Sequence, residues 1–244
     1  MRSITRLAFA TAATAVLAAT GTASASAATP TGDAVSPHII GGSSGTSPYI
    51  VQLVFGQSDG TYGCTGEAIA PHWVLTAKHC IDGTQWMDVY YSNSVTSPGT
   101  AIAADQVAGS SSGDVALVHL SKAKKLSGGY APLASSYTPK SGTSGTIWGY
   151  GLTAGGAQPK HLNKATVNVL GSSTDAYGGK AVHVKGSNGA SNHGDSGGPL
   201  FVGGVIVGVC STGDVADPGS DIHAGSNYAN LTASRSWIRS VARV

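Results

Sequence analysis

Charge is scarce in this sequence: aspartate, glutamate, lysine and arginine make up 11% of its 244 residues, and Glu67 is the one glutamate. The formal net charge is +2, with neither a basic cluster nor an acidic tail. That balance gives no electrostatic reason to expect nucleic acid or an anionic membrane surface as a partner. Metal-ligand patterns are missing too. No His-x-x-x-His or paired-cysteine spacing occurs, so neither a metal nor a cofactor is expected. Beyond the first residues, no apolar run approaches the roughly 20 residues that a membrane-spanning helix needs. Strand and helix patterns do not alternate, which argues against a parallel sheet.

The N-terminus is built for export. Arg2 and Arg6 give a positive start, Leu7 to Thr20 is apolar, and Ala25-Ser26-Ala27 fits a small-residue cleavage site. Residues 1–27 therefore read as a secretory signal peptide, and the product as secreted and extracellular. Residues 28–38, polar and with two prolines, read as a pro-segment. Three cysteines in an exported chain suggest one disulfide and one leftover thiol. Cys64 and Cys80 enclose a short loop, and bridging it would stabilise the fold by about 3 kcal/mol. Cys210, inside an apolar run, reads as a small buried hydrophobe.

What is abundant is glycine, with 35 residues, interspersed with valine- and threonine-rich runs. That pattern favours many short strands. Strands are expected at Pro48–Phe55, Gly63–Ala70, Trp73–Ala77, Trp86–Tyr91, Asp114–Leu120, Gly145–Gly149, Lys164–Leu170, Ala181–Val184, Pro199–Ser211 and Asn227–Leu231. The polar stretch from Lys122 to Ser144 is the expected connection between two halves. Trp237, Ile238, Val241 and Val244 recur at helical spacing, with Ser234 as the expected N-cap. Many strands and one terminal helix point to antiparallel barrels or a sandwich.

The chemistry centres on Gly194-Asp195-Ser196-Gly197-Gly198-Pro199. A serine hydroxyl is a poor nucleophile near neutral pH, so Ser196 needs a base and a place for negative charge to develop. Among eight histidines, His79 stands out because it adjoins Cys80. A histidine acting as base needs a shielded carboxylate to fix its tautomer. Asp114 leads into Val115-Ala116-Leu117-Val118, the most apolar setting of any aspartate between His79 and Ser196.

Thr76-Ala77-Lys78-His79-Cys80, Asp114-Val115-Ala116-Leu117 and the Ser196 segment together resemble the three signatures of chymotrypsin-like (trypsin-family) serine proteases, of the bacterial type. The resemblance runs from Ile39 to the terminal helix. It implies two six-stranded antiparallel β-barrels, the first over about 39–125 and the second over about 140–233, with a C-terminal helix over 234–244. It implies a secreted endopeptidase with His79, Asp114 and Ser196 as catalytic triad and the N–H groups of Gly194 and Ser196 as oxyanion hole. It also implies a zymogen, in which cleavage before Ile39 frees an ammonium that pairs with Asp195. Protein or peptide substrates, protein protease inhibitors and a monomeric state follow from the same likeness.

For specificity, the resemblance puts Ala190 where trypsin-like members carry an aspartate. Ser191 and His193 flank the pocket, and Ser211-Thr212-Gly213 matches a segment that pairs with substrate backbone. An uncharged medium or large side chain is therefore expected on the acyl side of the cut bond. Asp214, Asp217 and Asp221 are the acids that would restore a basic preference by turning inward. Two rivals remain: a catalytically silent binding protein on the same fold, and an esterase of the α/β-hydrolase kind. The second requires the order Ser, Asp, His, and only His223 follows Ser196.

Overall fold

A computed structural model describes residues 39–244; the expected signal peptide and pro-segment lie outside the described residues. The first six long strands are β1 (Ile50–Gln57), β2 (Gly60–Ala70), β3 (Trp73–Thr76), β4 (Trp86–Tyr90), β5 (Ile102–Gly109) and β6 (Ala116–Leu120). They close into an antiparallel barrel in the order β1-β2-β3-β6-β5-β4. The next six are β7 (Ser144–Gly149), β8 (Asn163–Thr174), β9 (Lys180–Gly186), β10 (Pro199–Val202), β11 (Val205–Gly213) and β12 (Gly225–Asn230). Their order, β7-β8-β9-β12-β11-β10, repeats that of the first barrel, and it closes where β10 pairs with β7. The two six-stranded barrels are followed by one helix, α1 (Arg235–Ala242).

The apolar run from Val115 to Leu120, broken by the half-buried His119, has a simple cause. Side chains alternate across a strand, and here both faces are covered. Ala116, Val118 and Leu120 point into the first barrel with Leu53, Phe55 and Val74. Val115 and Leu117 point the other way, into a second cluster shared with Ile206 and Val209 of β11 and Ile238 of α1. Each such leucine or isoleucine, fully buried, stabilises by about 1.5–3 kcal/mol. One strand thus cements the two barrels and the helix, and Asp114 stands just before it in the chain.

The expected elements hold with shifted ends and three corrections. The run Pro199–Ser211 is two strands, because Gly203 and Gly204 adopt φ of +61° and +82° and make a two-residue hairpin turn. Strand β5 escapes sequence reading: most of its positions are exposed, and Asp105 and Gln106 interrupt it at a bulge. Ser234 does not cap α1; its hydroxyl bonds that of Ser110 at 2.8 Å. A 3-10 turn over Leu231–Ser234 precedes the helix instead, and Asn230 caps it by accepting the Thr232 N–H at 3.0 Å.

Candidate active site

His79 lies in a 3-10 turn, Lys78–Cys80, that begins where β3 ends. Cys80 is disulfide-bonded to Cys64 of β2, with Cα atoms 6.4 Å apart. That bond ties the histidine's turn to the barrel wall. Asp114 is fully buried at the mouth of β6. Its Oδ1 accepts the His79 backbone N–H at 2.9 Å, and its Oδ2 faces His79 Nδ1 at 2.7 Å. A third donor, the Ser211 hydroxyl, reaches Oδ2 at 2.6 Å. Burial acts to raise the Asp114 carboxyl, but the His79 ring, its charge, Ser211 and the His79 N–H outweigh it and hold the group below its usual range. An ionised carboxylate only accepts, so Nδ1 carries the proton and Nε2 is left with its lone pair.

Ser196 reaches this corner from the other barrel through glycine. At Gly197, with φ +78°, a Cβ would lie 2.0 Å from Thr76 Oγ1 and 2.9 Å from the Ala77 nitrogen. Only a residue without a side chain lets the serine loop rest on the strand that leads to His79. Thr65, beside Cys64, holds the loop twice: its N–H donates to the Ser196 carbonyl at 2.8 Å and its hydroxyl to that of Gly194 at 2.9 Å. The cysteine spacing pointed to the neighbourhood of Thr65, and nothing in the sequence pointed to Thr65 itself. Ser211, expected to meet substrate, has the additional contact to Asp114.

Around Ser196 the backbone donors divide cleanly. The N–H groups of Asp195, Gly197 and Gly198 bond the carbonyls of Asn192, Cys210 and Asp195. Those of Gly194 and Ser196 meet no acceptor among the described residues. Gly194 holds φ +93°, and a Cβ there would meet Gly151 Cα at 2.9 Å. Asp195 is turned inward and buried. It accepts the N–H groups of Asn192 and Gly151, each at 2.8 Å. Burial nevertheless pushes its carboxyl up to about 7. Ile39 is fully buried in the second barrel's core, and Ile40 pairs with Ala190 in a short antiparallel ladder.

A cavity of about 450 Å³ opens beside Ser196. Ser191, His193, Ser211, Thr212 and Gly213 line it, whereas Ala190 is buried and does not appear in its wall. The Ser191 hydroxyl meets that of Ser226 at 2.6 Å, both buried. His193 Nε2 contacts the Ala216 carbonyl at 2.9 Å across the cavity's rim. Asp214 is the only acid in the lining. Its carboxylate is taken by His183 Nε2 at 2.8 Å and Asn227 Nδ2 at 3.2 Å. Asp217 and Asp221 accept N–H groups of their own turns, from Gly219 and His223. Cys210 also lines the cavity, with its thiol pushed up to about 12 by burial and the nearby Asp195 charge. Among the described residues one cluster has metal-ligand spacing, Cys64, His79 and Cys80. Both of its sulfurs are in the disulfide.

A family model described as Trypsin matches residues 39–238. The chain is 29% identical to trypsin alpha of Drosophila melanogaster over 231 residues, spanning 84% of this chain and 88% of that protein. It is 27% identical to trypsin alpha-4 of Lucilia cuprina over 84% and 88% of the two chains. The solved structure of neuropsin, a serine protease expressed in the limbic system of mouse brain, superposes with a TM-score of 0.65 at 27% identity, over 80% of this chain and 94% of that one. A scabies mite inactivated protease paralogue superposes at 0.69 over 83% and 99% of the two chains, and its 21% identity speaks to the fold alone. The expected bacterial type is not borne out, since these trypsins are insect proteins.

Proposed function

This chain belongs to the trypsin family and is a serine-type endopeptidase, and from that premise we propose that it cuts peptide bonds through Ser196, His79 and Asp114. The observation that carries the assignment is the pair at the cleft. Asp114 is held by three donors and meets His79 at Nδ1, which leaves Nε2 as the basic atom of the ring. In this reading Nε2 takes the Ser196 proton as Oγ attacks the substrate carbonyl, and Asp114 stabilises the imidazolium. The N–H groups of Gly194 and Ser196 receive the oxyanion; losing one such donor costs about 10²–10³ in turnover. The imidazolium then protonates the leaving amine, and water attacks the acyl-enzyme by the reverse path.

Activation is proposed at the His38–Ile39 bond. Ile39 is a β-branched residue at φ +39°, a conformation that costs such residues about 1–3 kcal/mol, and cleavage would relieve it. The freed ammonium would meet Asp195, whose buried carboxyl lacks a cationic partner among the described residues. Export as a soluble secreted enzyme, acting as a monomer, belongs to the same proposal. For specificity, a roomy cavity whose one carboxylate, Asp214, is already hydrogen-bonded to His183 and Asn227 supports an uncharged medium or large side chain. An unpaired guanidinium brought into it would be costly to desolvate.

The rival is a silent protein on the same fold, and the mite paralogue shows that the fold by itself decides nothing. An active-serine phosphonate added to the processed protein should label Ser196; absence of label favours the binder. Cleavage of a diverse peptide library should then show an uncharged preference. A sharp preference for lysine or arginine would overturn the pocket reading and leave the mechanism standing.

A further inference from the structure

Asp114 is gripped from behind as well as from the cleft. The turn between β8 and β9, residues 175–179, carries a third buried aspartate, Asp175. Its Oδ1 accepts the N–H groups of Tyr177 at 2.9 Å and Gly179 at 2.8 Å, which fixes the carboxylate to its own turn. Its Oδ2 accepts the backbone N–H of Asp114 at 2.9 Å. The next residue, Ala176, donates its N–H to Ser211 Oγ at 3.0 Å, and that hydroxyl in turn donates to Asp114 Oδ2. One short turn of the second barrel therefore holds Asp114 at two places, at its main chain through Asp175 and at its carboxylate through Ser211.

The fit around Asp175 is tight and made by glycine. A Cβ on Gly113, where φ is +141°, would lie 2.3 Å from Asp175 Oδ2. On Gly179 it would lie 2.5 Å from the same oxygen and 2.6 Å from Gly113 Cα. The residue before Asp114 and the end of the turn thus pack backbone to backbone over the carboxylate. The turn's tip is anchored on residues that flank His79 in the chain: the Tyr177 hydroxyl donates to the Asp82 carboxylate, and Lys78 Nζ sits 4.5 Å from the Tyr177 ring centre. Three backbone N–H donors, from Asp114, Tyr177 and Gly179, thus satisfy the Asp175 carboxylate.

We propose that Asp175 is a positioning residue for the Asp114–His79 pair, acting through the Asp114 main chain and the Ser211 hydroxyl to set where the carboxylate meets Nδ1. The proposal rests on the catalytic reading of His79, Asp114 and Ser196. Its test compares the processed parent with Asp175→Ala, Asp175→Asn and Tyr177→Phe. Active sites are counted with a phosphonate, kcat and KM are measured on a peptide amide, and kcat/KM is followed against pH. Asp175→Ala should lower kcat per titrated site about 10- to 100-fold with KM nearly unchanged, as misplacement of a catalytic group does. The acidic limb of kcat/KM should move to lower pH, because a displaced Asp114 stabilises the imidazolium less.

Asp175→Asn keeps one acceptor oxygen but turns an NH₂ toward a backbone N–H, so it should fall between parent and alanine variant. If the alanine variant does not fold, the asparagine variant carries the same test. Tyr177→Phe removes only the link to Asp82 and should leave the acidic limb in place. A parent-like kcat per titrated site and an unmoved limb in the Asp175 variants, with only thermal stability reduced, would overturn the proposal. Failure of the phosphonate to label the parent would instead sink the catalytic reading beneath it.

Discussion

Cutting the chain before Ile39 should change the way its stability depends on pH, because one buried carboxyl gains a partner. Asp195 is 1% exposed, and burial lifts its carboxyl from 3.8 to about 7 despite two backbone N–H bonds. An unfolded chain releases that proton near 3.8, so between the two values the folded chain binds one proton more. The group's favourable contribution is therefore complete at low pH and shrinks as pH rises toward about 7. At about 1.36 kcal/mol per pH unit, the unprocessed protein should lose about 4 kcal/mol across that interval. Processing replaces this slope with another. Once the Ile39 ammonium pairs with it, Asp195 ionises at low pH, and the remaining dependence belongs to the amine, whose reference pKa is about 7.7–8.0. Pairing raises the amine's pKa in the folded state, so this stabilisation is present below the reference value and disappears as pH climbs through the raised one. Urea unfolding of both forms across this range, in a Ser196→Ala background that prevents self-digestion, measures the two slopes directly. Asp195→Asn in the unprocessed chain should remove the Asp195 share of the first, about 4 kcal/mol across the interval, and leave the share of other buried carboxyls such as Glu67. An Asp195→Asn variant whose slope matches that of the unprocessed parent would refute the reasoning.

Three further outcomes are expected. Asp114→Asn should lower kcat about 10⁴-fold with KM little changed, because the amide favours the wrong histidine tautomer; steady-state kinetics on a peptide amide checks it. Glu67 is fully buried with neither carboxyl oxygen hydrogen-bonded, and burial holds its carboxyl well above the usual range. Such a group favours folding below its unfolded value of 4.5 and opposes it progressively as pH rises. Glu67→Gln should therefore gain on the parent in unfolding experiments as pH rises, and parallel curves would contradict the assignment. Replacing both Cys64 and Cys80 by serine opens a loop with a sequence separation of 16, and should cost about 3 kcal/mol of unfolding free energy.

The barrels were legible where burial imposes a pattern. Ile50–Gln57 and Ala116–Leu120 announce themselves because their inward residues are apolar, and in β6 the outward Leu117 is too. Strand β5 was not legible, since it lies mostly in solvent and its place in the ring comes from pairing with β4 and β6 rather than from its own composition. Cap identity at the terminal helix failed for a related reason. Ser234 has the right chemistry for a cap, but its hydroxyl finds Ser110, a partner 124 residues away, which no local rule contains.

The same division runs through the site. His79, Asp114 and Ser196 stand in short segments whose neighbours are constrained by the chemistry itself: a disulfide beside the histidine, an apolar strand behind the aspartate, glycines around the serine. Those constraints act within a few residues, so they leave a mark on the sequence. Thr65, Ser211 and Asp175 act across the two barrels, each through a contact that depends on how β2, β11 and the turn after β8 come together. A threonine, a serine and an aspartate are ordinary residues where they stand, and their sequence context says nothing of the partner. The pocket is harder still, because its wall joins Ser191, Thr212 and Gly225 from separate segments, and what a charge does there depends on its partners. Asp214 illustrates the point: by sequence it is one of three acids able to restore a basic preference, and by structure its carboxylate is already held by His183 and Asn227.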